Sequence, residues 1–197
     1  MKPQYFSSML LILLLLLSTL TYADMNCALE FTGPGTSSGG IAVTPIGNWY
    51  AVLNANVYKN GALIFTGPGT ESGGIAVTPS GDWYAVLDAN VYKNGKLIFT
   101  GPGTDSGGIA VTSNGDWYAV LNANVYKNGD LVFTGPGTAS GGIAVAPNGD
   151  WYAVLDANVY KNGALVFTGP GTISGGIAVT PSGKLFTVEN ANVYKCQ

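Results

Sequence analysis

The sequence predicts an all-β chain: a five-bladed β-propeller with four antiparallel strands per blade, closed by its N-terminal strand. Three observations lead there. A 34-residue unit repeats without insertion, its FTGPGT string beginning at Phe31, Phe65, Phe99, Phe133 and Phe167. Each unit holds four short runs rich in β-branched and aromatic residues, bounded by turn residues. The two ends of the chain are out of step with the unit, so that a strand missing at one end is present at the other. A period of roughly 20–50 residues marks an architecture in which each unit buries its apolar surface on its neighbours.

The stretch from Gly73 to Thr100 gives the elements in order. Gly73-Gly74-Ile75-Ala76-Val77-Thr78 is the first strand and stops at Pro79-Ser80-Gly81. Asp82 to Leu87 is the second, Asn90 to Lys93 the third, and Lys96 to Thr100 the fourth. Asn94-Gly95 is the preferred pair for a two-residue type I′ hairpin. No apolar stripe of helical period runs through the unit, so no helix is read. Strand alternation sorts the side chains onto two faces. One face is read as Gly74, Ala76, Thr78, Trp83, Ala85, Leu87, Tyr92, Leu97 and Phe99, the other as Ile75, Val77, Tyr84, Val86, Val91 and Ile98. Both are largely apolar, so each sheet needs cover on both sides. Bulk grows from Gly and Ala on the first strand to Trp, Tyr and Phe on the later ones, which suits blades converging on an axis. Trp49, Trp83, Trp117 and Trp151 are accordingly read as packing between blades rather than as stacking platforms for sugars.

Closure follows from the stagger. Ala28-Leu29-Glu30-Phe31 matches a fourth strand, and Asn192-Val193-Tyr194-Lys195 matches a third. The fifth blade lacks its outer strand and the N-terminus supplies it, which removes an open sheet edge. In the internal repeats Lys-Asn-Gly joins the third strand to the fourth. Cys196 aligns with that Asn and Cys27 with that Gly. A Cys27–Cys196 disulfide would replace the missing turn, and in the chain-entropy picture so long a loop gives ~4–5 kcal/mol. An open solenoid is the competing architecture.

Residues 1–23 read as a signal peptide. Lys2 precedes the apolar run Met9 to Leu17, and Thr21-Tyr22-Ala23 offers small residues for cleavage after Ala23. The run is shorter than the ~20 apolar residues of a membrane span. Residues 24–197 form the single propeller, expected to be secreted or periplasmic and monomeric. Without Lys2, 7 Lys face 11 acidic residues, with no Arg and no His. No basic footprint for nucleic acid exists, and the bidentate capture of phosphate or carboxylate that Arg provides is excluded. Two cysteines in an exported chain favour a disulfide over a metal or redox site.

Gly74-Ile75-Ala76-Val77-Thr78-Pro79-Ser80-Gly81-Asp82-Trp83-Tyr84 resembles the NHL-type β-propeller repeat, with its Gly-Ile-Ala-Val, turn Gly and second-strand aromatic. The likeness covers about half of each repeat in every copy, and it implies a propeller blade without implying a function. The His and metal-ligating carboxylates of enzymatic relatives have no matching positions here. Blade number and regularity are also similar to the tachylectin type of five-bladed, sugar-binding propeller, a likeness of architecture only.

Candidate sites follow from strand direction. The loop Gly67 to Gly74 and the turn Leu87 to Asn90 emerge on one side of every blade. The series Asn54, Asp88, Asn122, Asp156 and Asn190 changes only between amide and acid, and either group accepts from a hydroxyl. With the loop hydroxyls of Thr70, Ser72, Thr104 and Ser106 it forms the candidate ligand-binding set. Turn chemistry is the competing account of the same residues. The position occupied by Ser37, Glu71, Asp105, Ala139 and Ile173 varies too freely for a shared site. The glycine spacing matches no phosphate-binding fingerprint. Asp82, Asp116 and Asp150 recur at one turn, but Asn48 and Lys184 break the series. No cofactor, no metal and no catalytic set is read. The function expected is a non-enzymatic multivalent binding module, lectin-like, with carbohydrate as partner. The alternative is an exported scaffold ring that contacts a protein surface.

Overall fold

Two kinds of tight hairpin space the strands. At Asn94-Gly95 both residues take positive φ, 49° and 81°, as a type I′ turn requires. A second turn of the same kind lies at Asp88-Ala89, with φ of 47° and 55°. An L-residue with a Cβ is strained there by about 1 kcal/mol. Ala89 is fully buried beside Val91 and Leu121, and that burial offsets the strain. The turn between the first two strands is different. Thr78 Oγ1 accepts a hydrogen bond from the Asp82 backbone N–H at 3.1 Å, and the Gly81 N–H donates to the Thr78 carbonyl at 2.9 Å.

The computed structural model describes residues 29–33, 38–170, 175–189 and 192–196. Residues 31–197 form one unit. The signal-peptide reading, Cys27 and Asn190 fall outside the described residues. Blade 1 comprises β1 (Ser38–Val43), β2 (Trp49–Leu53), β3 (Asn56–Lys59) and β4 (Ala62–Thr66). Blade 2 comprises β5 (Ser72–Val77), β6 (Trp83–Leu87), β7 (Asn90–Lys93) and β8 (Lys96–Thr100). Blade 3 comprises β9 (Ser106–Val111), β10 (Trp117–Leu121), β11 (Asn124–Lys127) and β12 (Asp130–Thr134). Blade 4 comprises β13 (Ser140–Val145), β14 (Trp151–Leu155), β15 (Asn158–Lys161) and β16 (Ala164–Thr168). The fifth sheet has three strands among the described residues: β17 (Ile177–Val179), β18 (Leu185–Glu189) and β19 (Asn192–Cys196). Strand order within each sheet follows the sequence, and every pairing is antiparallel.

The pairing corrects part of the face assignment. Val77 pairs with Trp83 and Ile75 with Ala85, so Ile75 and Val77 share a face with Trp83, Ala85, Leu87 and Tyr92. Ala76 lies on the opposite face. The Thr78 turn holds one more residue than the alternation assumed, and a one-residue shift inverts a strand. Phe99 also changes sides. Val91 pairs with Phe99 but Tyr92 with Leu97, so Ile98 is an extra residue, a β-bulge. A second bulge falls at Gly73-Gly74, between the pairs Ser72–Leu87 and Ile75–Ala85.

The core lies between blades, not within them. At the junction of blades 2 and 3, Tyr84, Val86, Ala89 and Val91 pack on Ile109, Trp117, Ala119, Leu121 and Tyr126. Phe99 of β8 closes the outer edge, its ring centroid 5.8 Å from that of Trp117 and 5.0 Å from that of Tyr126. Each fully buried Val or Leu contributes roughly 1.5–3 kcal/mol, so the junctions hold the fold together. The tryptophans of blades 2 to 4 sit in these junctions, as read. At the inner end glycine sets the spacing. A Cβ on Gly74 would lie 2.8 Å from the Ile109 nitrogen, and one on Gly108 would lie 2.9 Å from the Ile143 nitrogen.

Among the described residues the two end faces lack such cover. Ile41 and Val43 of blade 1 are 70% and 59% exposed, whereas Ile75, Ile109 and Ile143 are 6–7% exposed. Val188 and Val193 of blade 5 are 41% and 72% exposed, whereas Val86 and Val91 are at 0%. A Cβ on Gly176 would meet nothing within 4 Å. The leading face of blade 1 nevertheless carries one feature of a preceding blade. Phe31 lies on Trp49 and Tyr58 at centroid distances of 5.8 and 5.2 Å, and Phe65 repeats both distances on Trp83 and Tyr92. Phe31 thus holds the place of an outer-strand Phe.

Candidate functional site

On the side of the repeat loops, the candidate residues brace the backbone. Asp88 Oδ1 accepts from the Glu71 N–H at 3.1 Å, and Asp156 Oδ1 accepts from the Ala139 N–H at 3.2 Å. Asn54, Asp88, Asn122 and Asp156 all take positive φ as the first residue of their turns. The carbonyls of Asp88 and Asn122 accept from the side-chain amides of Asn90 and Asn124, at 2.8 and 3.1 Å. Ser72 Oγ accepts from the Ala55 N–H at 2.8 Å, and Ser106 Oγ from the Ala89 N–H at 2.8 Å. Each of these serines ties its own blade to the turn of the blade before. Thr70 and Thr104 are exposed on their loops.

Ser72, Ser106 and Ser140 come together with the inner-strand glycines around an axial depression of about 470 Å³. The Asn and Asp turn residues do not line it. Its wall is backbone and hydroxyl, because the blades approach too closely there for side chains.

The opposite side carries a constellation that the sequence reading did not single out. There the turn between the first two strands meets the Asn-Gly turn of its own blade, and the first turn of the next blade lies alongside. Lys59, Lys93, Lys127 and Lys161 each place Nζ 5.1–5.5 Å from the ring centroid of Tyr50, Tyr84, Tyr118 and Tyr152. Lys93 pairs with Asp82 at 3.3 Å, and Lys161 with Asp150 at 2.9 Å. Asn94 braces the acid from the other flank: its Nδ2 donates to Asp82 Oδ1 at 2.8 Å while its Oδ1 accepts from the Trp83 N–H at 3.0 Å. Asn128 and Asn162 do the same for Asp116 and Asp150. The Tyr84 hydroxyl reaches across the junction to the Gly115 carbonyl at 3.3 Å.

These contacts tune the charges. Lys161, then Asn162 and Asn148, hold the Asp150 carboxyl down at about 2. Asn94 and Lys93 lower Asp82. Tyr84 and Asp82 raise Lys93. Both partners stay charged across the neutral range and largely cancel. Between blades 2 and 3 the groups border a cleft of about 420 Å³, lined by Tyr84, Lys93 and Ile98 on one side and Asn114, Asp116 and Asn128 on the other. Between blades 4 and 5 a cleft of about 380 Å³ is lined by Asp150, Tyr152, Lys161, Pro181 and Ser182, among others. The signal for this side was the return of Lys beside each Asn-Gly, and of Tyr after each second-strand Trp, at the repeat interval.

Among the described residues no three acidic or cysteine side chains converge as metal ligands would. Among the described residues Cys196 has no disulfide partner, and it is half-buried against the cluster that includes Tyr152 and Leu185. Burial pushes its pKa up.

No protein-family model matches the chain. No curated protein matches it either. The likeness to NHL-type repeats therefore rests on the repeat residues alone. Solved structures do resemble it. A protein of unknown function from Bacteroides caccae superposes with a TM-score of 0.59 at 14% identity, over 79% of this chain and 71% of that one. The WD40 β-propeller domain of Doa1 gives 0.57 at 18% identity, over 75% of this chain and 59% of that one. Virginiamycin B lyase from Staphylococcus aureus gives 0.56 at 16% identity, over 79% and 68%. At such identities the likeness speaks to fold alone, and the fold is of the β-propeller type.

Proposed function

We propose that this chain is an exported, non-enzymatic binding module. Its five blades close into a monomeric ring that offers several weak, equivalent sites to a neutral ligand rich in hydroxyls. The observation that carries this reading is repetition. Successive junctions repeat one Lys–Tyr pair on the same buried apolar support. Equivalent weak sites on a rigid body raise avidity through effective concentration. A glycan array probed with the purified protein, with free sugar as competitor, tests it. Binding that free sugar displaces is the expected result. Absence of binding to every neutral glycan would leave the ring as a scaffold. That second reading is favoured by the outer strands, where Leu97, Leu131 and Leu165 are 48–54% exposed.

Ring closure is part of the proposal. In it the N-terminal segment through Phe31 forms the outer strand of blade 5, and Cys27 bonds Cys196. The seating of Phe31 on Trp49 and Tyr58 supports it. So does the match between the two uncovered faces, whose counterparts bury each other at every internal junction. Thiol titration of the exported protein without reductant is expected to find no free sulfhydryl. Cys27→Ser is expected to lower the melting midpoint, the bond being worth at most ~4–5 kcal/mol. A free thiol, or an unchanged midpoint, would mean that the ends are not tied this way.

A further inference from the structure

We infer that the ligand sites are the inter-blade clefts on the Asn-Gly-turn side, each built around one Lys–Tyr pair, and that they number four rather than five. The inference rests on the binding-module reading and gives it a location. Three observations direct it to this side. First, on the loop side Asp88, Ser72 and Ser106 are engaged with the backbone N–H groups of Glu71, Ala55 and Ala89. Second, the axial depression is walled by Gly and Ser and presents no longer side chain. Third, two of these clefts, between blades 2 and 3 and between blades 4 and 5, combine ammonium, carboxylate, phenol and amide around an open space of about 380–420 Å³. That is a size typical of small-molecule sites.

The chemistry selects a saccharide. The ammonium donates, the carboxylate accepts, and the Asn amide does both, so vicinal hydroxyls find complementary partners. In the cleft between blades 2 and 3, Ile98 supplies an apolar wall for the C–H face of a sugar ring. The Lys charge is offset by Asp82 in blade 2 and by Asp150 in blade 4, while blade 1 carries Asn48 at that position. An anionic ligand would meet the carboxylate and a cationic one the ammonium, so neither gains. The fifth blade breaks the set, with Phe186 at the Tyr position and Lys184 at the Asp position.

The test is electrophoresis of the full exported chain through gels containing dextran, galactomannan or xylan, with polygalacturonate as the anionic arm. At least one neutral polysaccharide is expected to retard the wild type. Replacing Lys59, Lys93, Lys127 and Lys161 together by Met keeps the aliphatic stem on each Tyr ring. It is expected to weaken retardation at least tenfold. The folded variant with Asn54, Asp88, Asn122 and Asp156 changed to Ala is expected to retain it. A Lys→Met variant that melts as the wild type does and binds as tightly would overturn the inference, as would retardation by polygalacturonate alone. No retardation in any gel would instead remove the binding-module reading on which it rests. A measurement on the unmutated sequence guards against misfolding. With lysines reductively methylated using a ¹³C label, the retarding polysaccharide is expected to shift the signals of Lys59, Lys93, Lys127 and Lys161. Lys96, exposed outside the clefts, serves as reference. Four shifted signals support the count, and shifts no larger than that of Lys96 refute the site.

Discussion

Trp117→Ala is expected to cost about 3–5 kcal/mol, the usual range for truncating a buried Trp. Its side chain is 6% exposed and fills the junction of blades 2 and 3 beside Tyr84, Leu121 and Phe99. Its backbone N–H is held by Asn128 at 2.9 Å, which resists an inward shift of the main chain. For a domain of this size the loss corresponds to a fall of roughly 10 °C in melting temperature. Thermal or urea unfolding followed by near-ultraviolet circular dichroism measures it. Ile98→Ala is the control, since Ile98 is 37% exposed on an outer strand. A cost for Trp117→Ala no larger than for Ile98→Ala would contradict the junction as the seat of stability.

The second large effect comes from adding a methyl group. Gly108→Ala would set Cβ 2.9 Å from the Ile143 nitrogen and 3.1 Å from the Gly142 Cα. Those are backbone atoms and no rotamer change relieves them, so blades 3 and 4 must separate at the axis. Overpacking of this kind costs typically about 1–3 kcal/mol, and a backbone collision belongs at the upper end. The same substitution at Gly176 then reports on the ring. As described, Gly176 has open space beside it. In a closed ring it would face blade 1 as Gly142 faces Gly176. The proposal therefore expects Gly176→Ala to cost as much as Gly108→Ala. A Gly176→Ala variant within a few tenths of a kcal/mol of wild type would mean that blades 1 and 5 stand apart.

Much of the blade was legible in the sequence because its punctuation is chemical. Asn94-Gly95 named its own turn, and β-branched runs between turn residues gave four strands per unit. The Trp series fell between blades as its bulk required. What escaped was local offset. The Thr78 turn is lengthened by a side-chain hydrogen bond that no dipeptide rule encodes, and this placed Ile75 on the wrong face. The bulge at Ile98 was hidden because Leu97-Ile98-Phe99 is apolar throughout and offers no alternation to interrupt. Asp88-Ala89 did not look like a type I′ pair, since Ala rarely takes positive φ. The Lys–Tyr clefts were missed for another reason. Each residue has an ordinary local explanation, and only the third dimension brings Tyr84 and Lys93 of one blade against Asn114 and Asp116 of the next.

The junctions described above are near copies of one another, down to aromatic distances that repeat within a few tenths of an ångström. During folding this sameness is a source of frustration, since the trailing face of any blade fits the leading face of any other. Only chain connectivity selects the proper neighbour. That selection is strong in an isolated molecule, where the 34-residue spacing keeps the correct partner nearby at little loop-closure cost. It weakens by mass action when many unfolded chains are present, because a blade from another molecule then competes on equal enthalpic terms. The repetition that makes every junction alike thus makes the chain prone to trading blades with its copies whenever it refolds in a crowd.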